Sequence, residues 1–396
     1  MKAVILAAGE GARMGPFTAS EPKVMIPVAN RPILEHVVEA VVGAGIRDIV
    51  IVVGYRRERI LSRFEDGKAF RANIEYAIQP KQLGTAQALL SVRDKVGSAM
   101  VVLPGDNLID EALLTDFLGK AQGTTMLLAE SETPRQYGVV EVTDGAVTRL
   151  VEKPRQAIGN LVSTGIYTFT PSIFEEVAAV GERGKHDLTD VIEELLGRQT
   201  VRGVFASGTW IDAAYPWDLL KANAAALSRV HETKAGTIEK GVTIRGKVSI
   251  GEGTALRAGT YIQGPCIIGE GCDIGPNAVI LPSTSLGEDV RVGAFTTIEN
   301  SLVMDDVSLG HASVLQNCVV GAGVKAASGL LAAAGPAAVE MEGEWHEIPA
   351  VGGMIGEDAE LGAGVVIEPG TLLGTRCQAR AGARIRGKVP NGTTVM

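Results

Sequence analysis

From residue 238 onward apolar residues return every six positions, from Ile238, Ile244, Ile250, Leu256 and Ile262 through Ile280 and Ile298 to Met304. Neither a helical period nor strict alternation gives that spacing. A six-residue repeat is the signature of a parallel β-helix, in which each flat face takes one repeat and the aliphatic residue points inward. Glycine follows many of these positions, as in IGEGTA, IGEGCD and LGEDVR. The pattern slips by one residue at Leu309 and Leu315, breaks in an Ala/Gly-rich stretch at about 325–354, and resumes at Ile355, Leu361, Ile367 and Leu373. The break reads as an excursion from one corner of the coil.

Up to about residue 230 the patterning is different. Short apolar runs (AVILAA, DIVIVVG, AMVVLPGD) alternate with helical stretches such as ILEHVVEAVVGAG and TAQALLSVRDKV. Strands that are apolar throughout and separated by helices predict a mostly parallel, Rossmann-like α/β sheet covered on both faces. A chain of 396 residues is expected to form about two domains. We therefore expect an α/β domain over 1–230 and a β-helix over 238–396. Ligands of such sheets sit at the carboxyl ends of the strands, which places GEGARMG and GDN on one rim.

The formal net charge of −9 argues against a nucleic-acid footprint, so an anionic ligand needs a local cluster of cations. Four cysteines, Cys266, Cys272, Cys318 and Cys377, are widely spaced and read as reduced thiols of a cytoplasmic protein. MKAVILAAGEG makes a poor signal peptide, and no apolar stretch reaches membrane-spanning length.

The segment LAAGEGARMGPFTASEPK, residues 6–23, carries the chemistry. A glycine loop between a strand and a helix offers backbone N–H groups to a phosphate. A dinucleotide-binding fold also begins this way, but it calls for an acidic residue about 20 positions on, where this chain has PVANRP. What the loop has instead is Arg13 and Lys23, two cations suited to a triphosphate whose leaving pyrophosphate gains charge.

These residues, followed by MIPVANRPIL, resemble the sugar-1-phosphate nucleotidylyltransferase family, and the similarity continues in order along the chain. The resemblance implies catalytic roles for Arg13 and Lys23, with Ala8, Gly9 and Gly11 in the nucleotide cradle. It implies that Gln79, Gly84 and Thr85 of QPKQLGTAQAL bind a pyrimidine base, of UTP or dTTP. Asp106 of PGDN and Asp212 of WIDAAYPWDLLKAN would hold magnesium. Gly138 of YGVVEV, Glu152 and Lys153 of VEKP and Thr164 of STGIY would line the sugar-phosphate pocket, with glucose-1-phosphate or N-acetylglucosamine-1-phosphate as acceptor. Ser163 departs from the family, where asparagine is common. By the same resemblance a sugar-phosphate oxygen attacks the α-phosphorus in line, and neutralisation and alignment of two polyanions are the enzyme's task.

With the β-helix included, the chain resembles the bifunctional, archaeal-type uridylyltransferase/acetyltransferases, whose left-handed β-helix forms homotrimers and binds acetyl-CoA. HASVLQNC retains a histidine, His311, that would serve as acetyltransferase base, but Val314, Ala334 and Ala350 stand where that family has tyrosine, asparagine and lysine. His311 as a base and His311 as a polar corner residue both remain open at this level. The basic run Arg376, Arg380, Arg384, Arg386 and Lys388 could meet CoA phosphates or be scattered surface charge.

Overall fold

A computed structural model describes residues 1–156 and 158–396. The chain divides into two compact units, one made of Met1–Glu10 and Ile33–Ile211, the other of Gly11–Pro32 and Asp212–Met396. No helix among the described residues is long and apolar enough to cross a membrane.

The first unit is built on a nine-stranded sheet. Four parallel strands come first across it, Asn73–Ile78, Asp48–Val53, Lys2–Ala7 and Met100–Pro104. They are the uninterrupted apolar runs of the sequence; Val4, Ile5, Val50, Ile51, Val101 and Val102 have no exposed surface, as strands covered on both faces require. The sheet then continues with mixed pairing. Leu161–Phe169 runs antiparallel to both Met100–Pro104 and Thr125–Glu130, and the hairpin Gly138–Thr143/Ala146–Glu152 closes the far edge. Parallel pairing needs a helical crossover, which the sequence signals; the antiparallel half lacks that signal and was not legible beforehand. Helix Leu188–Leu195 is started by a capping box in which Asp187 and Asp190 satisfy each other's backbone N–H groups.

The second unit is a parallel β-helix of the left-handed, hexapeptide class, preceded by helix Asp218–Leu227. Three sheets of nine, nine and eight short parallel strands form its faces. Ile262 pairs with Ile280 and Ile280 with Ile298, eighteen residues to a coil. Ile250, Ile268, Leu286, Val303, Val320, Ile355 and Leu373 all point into one dry core, each at most 1 % exposed. Each such side chain stabilises the fold by roughly 1.5–3 kcal/mol. Corner after corner is turned by one residue in the left-handed region, Gly253, Gly259, Gly271, Asn277, Asp289, Phe295 and Asp306 among them.

Two details correct the repeat as read. The slip falls one position earlier than expected: Leu286 pairs with Val303, so Val303 rather than Met304 enters the core, and the coil from there takes seventeen residues. The excursion is also shorter than 325–354. Lys325–Ala326 and Leu331–Ala332 stay in the coils, where Ala326 and Ala332 fill the core without a large aliphatic group. Only the antiparallel hairpin Gly335–Met341/Glu344–Val351 leaves the coil.

Candidate active site

In the second unit the loop that carries Arg13 and Lys23 is held by close packing. Gly11 lies at φ 71°, and a Cβ there would stand 2.6 Å from Cβ of Lys23, so only glycine lets the Lys23 stem cross the loop. The Thr18 hydroxyl donates to the Gly11 carbonyl at 3.1 Å. Met14 and Phe17, at most 1 % exposed, anchor the turn that carries Arg13. The Arg13 guanidinium lies 5.9 Å from the Tyr215 ring centroid, with its Nε 3.5 Å from Glu342 Oε2.

The far end of the loop is fastened to the β-helix. Ala29 donates its N–H to Asn223 Oδ1 at 2.9 Å, Ser285 donates its hydroxyl to the same oxygen at 2.9 Å, and Asn223 Nδ2 donates to the Ser283 carbonyl at 3.0 Å. Ser20 donates its hydroxyl to the Glu357 carboxylate. Close to Lys23 is a carboxylate that the sequence reading missed, Asp218. Burial pushes its carboxyl up to about 7, the charge of Asp212 adds to the rise, and the N–H of Tyr215, donated at 2.7 Å, with Lys23 and Lys221, works against it. An aspartate just inside a helix reads as an ordinary start signal, so its sequence position did not single it out.

In the first unit Ala8 and Gly9 follow the first strand, and Gly9 has open space where a Cβ would stand. Gln79, 4 % exposed, donates its amide nitrogen to the Gly84 carbonyl at 3.1 Å and to Gln87 Oε1 at 2.5 Å. Both its donors are spent, and among the described residues no donor reaches its carbonyl oxygen. At Gly84 a Cβ would meet the His186 carbonyl oxygen at 2.4 Å. Thr85 completes the strap: its hydroxyl accepts from Leu188 N at 2.8 Å and its N–H donates to Asp187 at 3.2 Å.

Asp106 follows the strand Met100–Pro104. The Asn107 amide, oriented to satisfy both neighbours, donates to Asp106 Oδ1 at 3.1 Å and accepts from the Trp210 indole N–H at 2.8 Å. Tyr137 packs edge-on against Trp210, with centroids 5.7 Å apart. Asn107, Trp210 and Tyr137 were not singled out from the sequence, because their meeting depends on the pairing of two short strands, Asn107–Ile109 and Trp210–Asp212. Asp212 itself opens the second stretch of the other unit.

Gly138 and Glu152 are brought together by one hairpin, in which they pair directly. A Cβ on Gly138 would lie 3.1 Å from Glu152 Oε2. Withdrawal from water pushes the Glu152 carboxyl up, Lys153 opposes this, and Asp187 and Asp190 add to it. Lys153 has φ 41°, a strained conformation for a side-chain-bearing residue, and donates its N–H to the Tyr137 carbonyl at 3.0 Å. Thr164 is placed differently from a direct ligand. Its hydroxyl donates to the Leu127 carbonyl at 2.9 Å, beside a bulge made by Gly165 at φ 79°.

His311 sits at a coil corner, where Nδ1 accepts the Ala294 N–H at 2.9 Å. The neutral ring then carries its proton on Nε2, and neither nitrogen keeps a free lone pair for a base. Of the basic run, Arg384 pairs with Glu368 at 2.5 Å.

The family profile described as nucleotidyl transferase matches residues 2–229, that of the GMPPB C-terminal domain 262–330, and that of the hexapeptide repeat of succinyl-transferase 354–385. A bifunctional protein GlmU of Methanocaldococcus jannaschii is 35% identical over 100% of this chain and 97% of its own. A glucose-1-phosphate thymidylyltransferase of Streptomyces griseus is 33% identical over 83% of this chain and 94% of its own. A solved structure from Bacillus anthracis, described as a glucose-1-phosphate thymidylyltransferase in complex with sucrose, superposes with a TM-score of 0.54 at 30% identity, covering 59% of this chain and 98% of that one. A glycine loop carrying Arg13 and Lys23, a strapped Gln79 and a hexapeptide β-helix thus occur together in one chain, and that chain belongs to the nucleotidyl transferase family as a sugar-1-phosphate nucleotidyltransferase.

Proposed function

We propose that the enzyme transfers a uridylyl or thymidylyl group from UTP or dTTP to glucose-1-phosphate or N-acetylglucosamine-1-phosphate, releasing pyrophosphate. The observation that carries the nucleotide assignment is Gln79. With both amide hydrogens spent on Gly84 and Gln87, it has only an acceptor to offer a base. The N3 position of uracil and thymine is a donor and that of cytosine an acceptor, so the arrangement favours the former pair. The names of the Methanocaldococcus and Streptomyces relatives support the same substrate classes.

Arg13 and Lys23 would stabilise the charge that gathers on the departing pyrophosphate, and Gly11 holds the two cations in one loop. Ala8 and Gly9 would admit the nucleotide phosphates close to the backbone, and Gly84 and Thr85 would lie against the base. Gly138, Glu152, Lys153 and the backbone around Thr164 would meet the sugar phosphate. Asp106 and Asp212 would hold magnesium. Among the described residues no group of three or more candidate ligands forms a metal cage. Aspartate carboxylates, as hard oxygen donors, suit magnesium. When bound, magnesium neutralises phosphate charge and aligns the two reactants. Replacing Arg13 with alanine should lower kcat by about a hundredfold or more, measured as magnesium-dependent pyrophosphate release; near wild-type turnover would refute the cradle.

For the β-helix we infer a supporting role, over residues 238–396, beside a transferase over 1–230. The engaged Nδ1 of His311 and the residues Val314, Ala334 and Ala350 argue against acetyl transfer, and the loop's contact to Glu357 and its tie to Ser285 through Asn223 supply another function for the coils. Acetyl-CoA consumption with glucosamine-1-phosphate, abolished in His311→Ala, would reverse this assignment. The resemblance to the bifunctional enzymes supports a cytoplasmic homotrimer assembled on the coils.

A further inference from the structure

The hairpin Gly335–Met341/Glu344–Val351 adds no strand to the coils, whose strands pair past it: Val319–Val320 lies directly on Met354–Ile355. Its tip is a two-residue turn with Glu342 at φ 53° and Gly343 at φ 83°. Glycine tolerates that conformation, whereas a glutamate there carries strain. The carboxylate so presented is the one 3.5 Å from Arg13 Nε.

The body of the hairpin makes a second contact with the same group. Tyr215, whose ring lies under Arg13, stacks on Trp217 at 5.0 Å with planes 10° apart, and both rings meet the His346 ring, at 4.4 and 5.6 Å respectively. His346 Nε2 is buried, and among the described residues it has no hydrogen-bond partner. An orphaned polar atom is a cost to stability. Its presence indicates that the ring face is what this position supplies.

We propose that this hairpin is a positioning element for the transferase reaction: His346 and Trp217 fix the Tyr215 ring as a platform for the Arg13 guanidinium, and Glu342 holds that guanidinium by its Nε edge. This rests on the assignment of Arg13 to the leaving pyrophosphate. None of the hairpin residues touches substrate. They act by limiting the orientations of Arg13, so their loss appears in kcat more than in binding of the ground state.

The test is steady-state kinetics of the full chain with magnesium, UTP or dTTP and the sugar-1-phosphate. His346→Ala is expected to lower kcat about tenfold with the KM of the sugar phosphate unchanged. His346→Phe, which restores the ring and removes the orphaned nitrogen, is expected to return kcat to within about twofold and to raise Tm. In an Arg13→Ala background, His346→Ala should cause no further loss. Wild-type kcat in His346→Ala, no recovery in His346→Phe, or an equal loss in the Arg13→Ala background would each overturn the proposal while leaving the role of Arg13 intact. Wild-type turnover in Arg13→Ala alone would instead refute the role of Arg13 itself.

Discussion

Gln79 acts through what its neighbours have already used. Gly84 and Gln87 take its hydrogens, and the proposed reading of the base rests on the carbonyl oxygen that remains. Gln79→Leu keeps the bulk and loses the acceptor, so the ratio of kcat/KM for UTP over CTP should fall about tenfold or more; an unchanged ratio would place base reading elsewhere. Asp218 gives a pH prediction. Its folded pKa, pushed up to about 7 by burial, stands above its ordinary value of 3.8. The folded protein therefore binds more protons across that interval, and the stabilisation present below pH 4 is lost as pH rises through 7. Asp218→Asn can still accept the Tyr215 N–H without carrying charge. It should be more stable than wild type at pH 8 by on the order of 2–4 kcal/mol, and near parity at pH 4. Denaturant titrations without divalent metal measure this, and a difference independent of pH would contradict it. The motif residues could be proposed from the sequence because each stands in a short recognisable string. Asp218, Asn107, Trp210, Tyr215, Glu342 and His346 were not, because their partners come from distant segments: the partner of Glu342 is Arg13.

Among the elements, the six-residue period was the clearest signal, since every turn of the coil repeats the same inward position. It failed where a coil is shortened, at Val303 and again before Val389, and where alanine replaces a large aliphatic residue. The antiparallel half of the sheet and the hairpin left no comparable trace. Helix Asp218–Leu227 depends on a buried amide, Asn223, with no exposed surface. Asn223→Ala would orphan the Ala29 N–H and the Ser283 carbonyl together. We expect a loss of about 2–4 kcal/mol in chemical denaturation. Turnover should fall with it, because Ala29 belongs to the stretch that carries Arg13 and Lys23. A loss under 1 kcal/mol, the value of roughly one ordinary hydrogen bond, would mean that the loop has other anchors.

At the scale of the whole molecule, the four cysteines show how the β-helix uses small residues. All are free and buried. Cys266 stacks in register on Val248 and Thr284, a row filled by small side chains at a corner of the coil. Burial pushes the Cys266 thiol up to about 12 and those of Cys272 and Cys318 to about 11. The native protein should therefore resist thiol reagents near neutral pH, with four thiols appearing only after denaturation; rapid labelling of the folded protein would contradict the packing. The measurement that bears most directly on function is magnesium-dependent pyrophosphate release across UTP, dTTP, ATP, CTP and GTP, with glucose-1-phosphate and N-acetylglucosamine-1-phosphate as acceptors. The structure predicts release with UTP or dTTP and a sharp loss in Arg13→Ala. Release confined to a purine nucleotide or CTP would contradict the reading of Gln79, and none with any pair from the folded protein would contradict the assigned reaction.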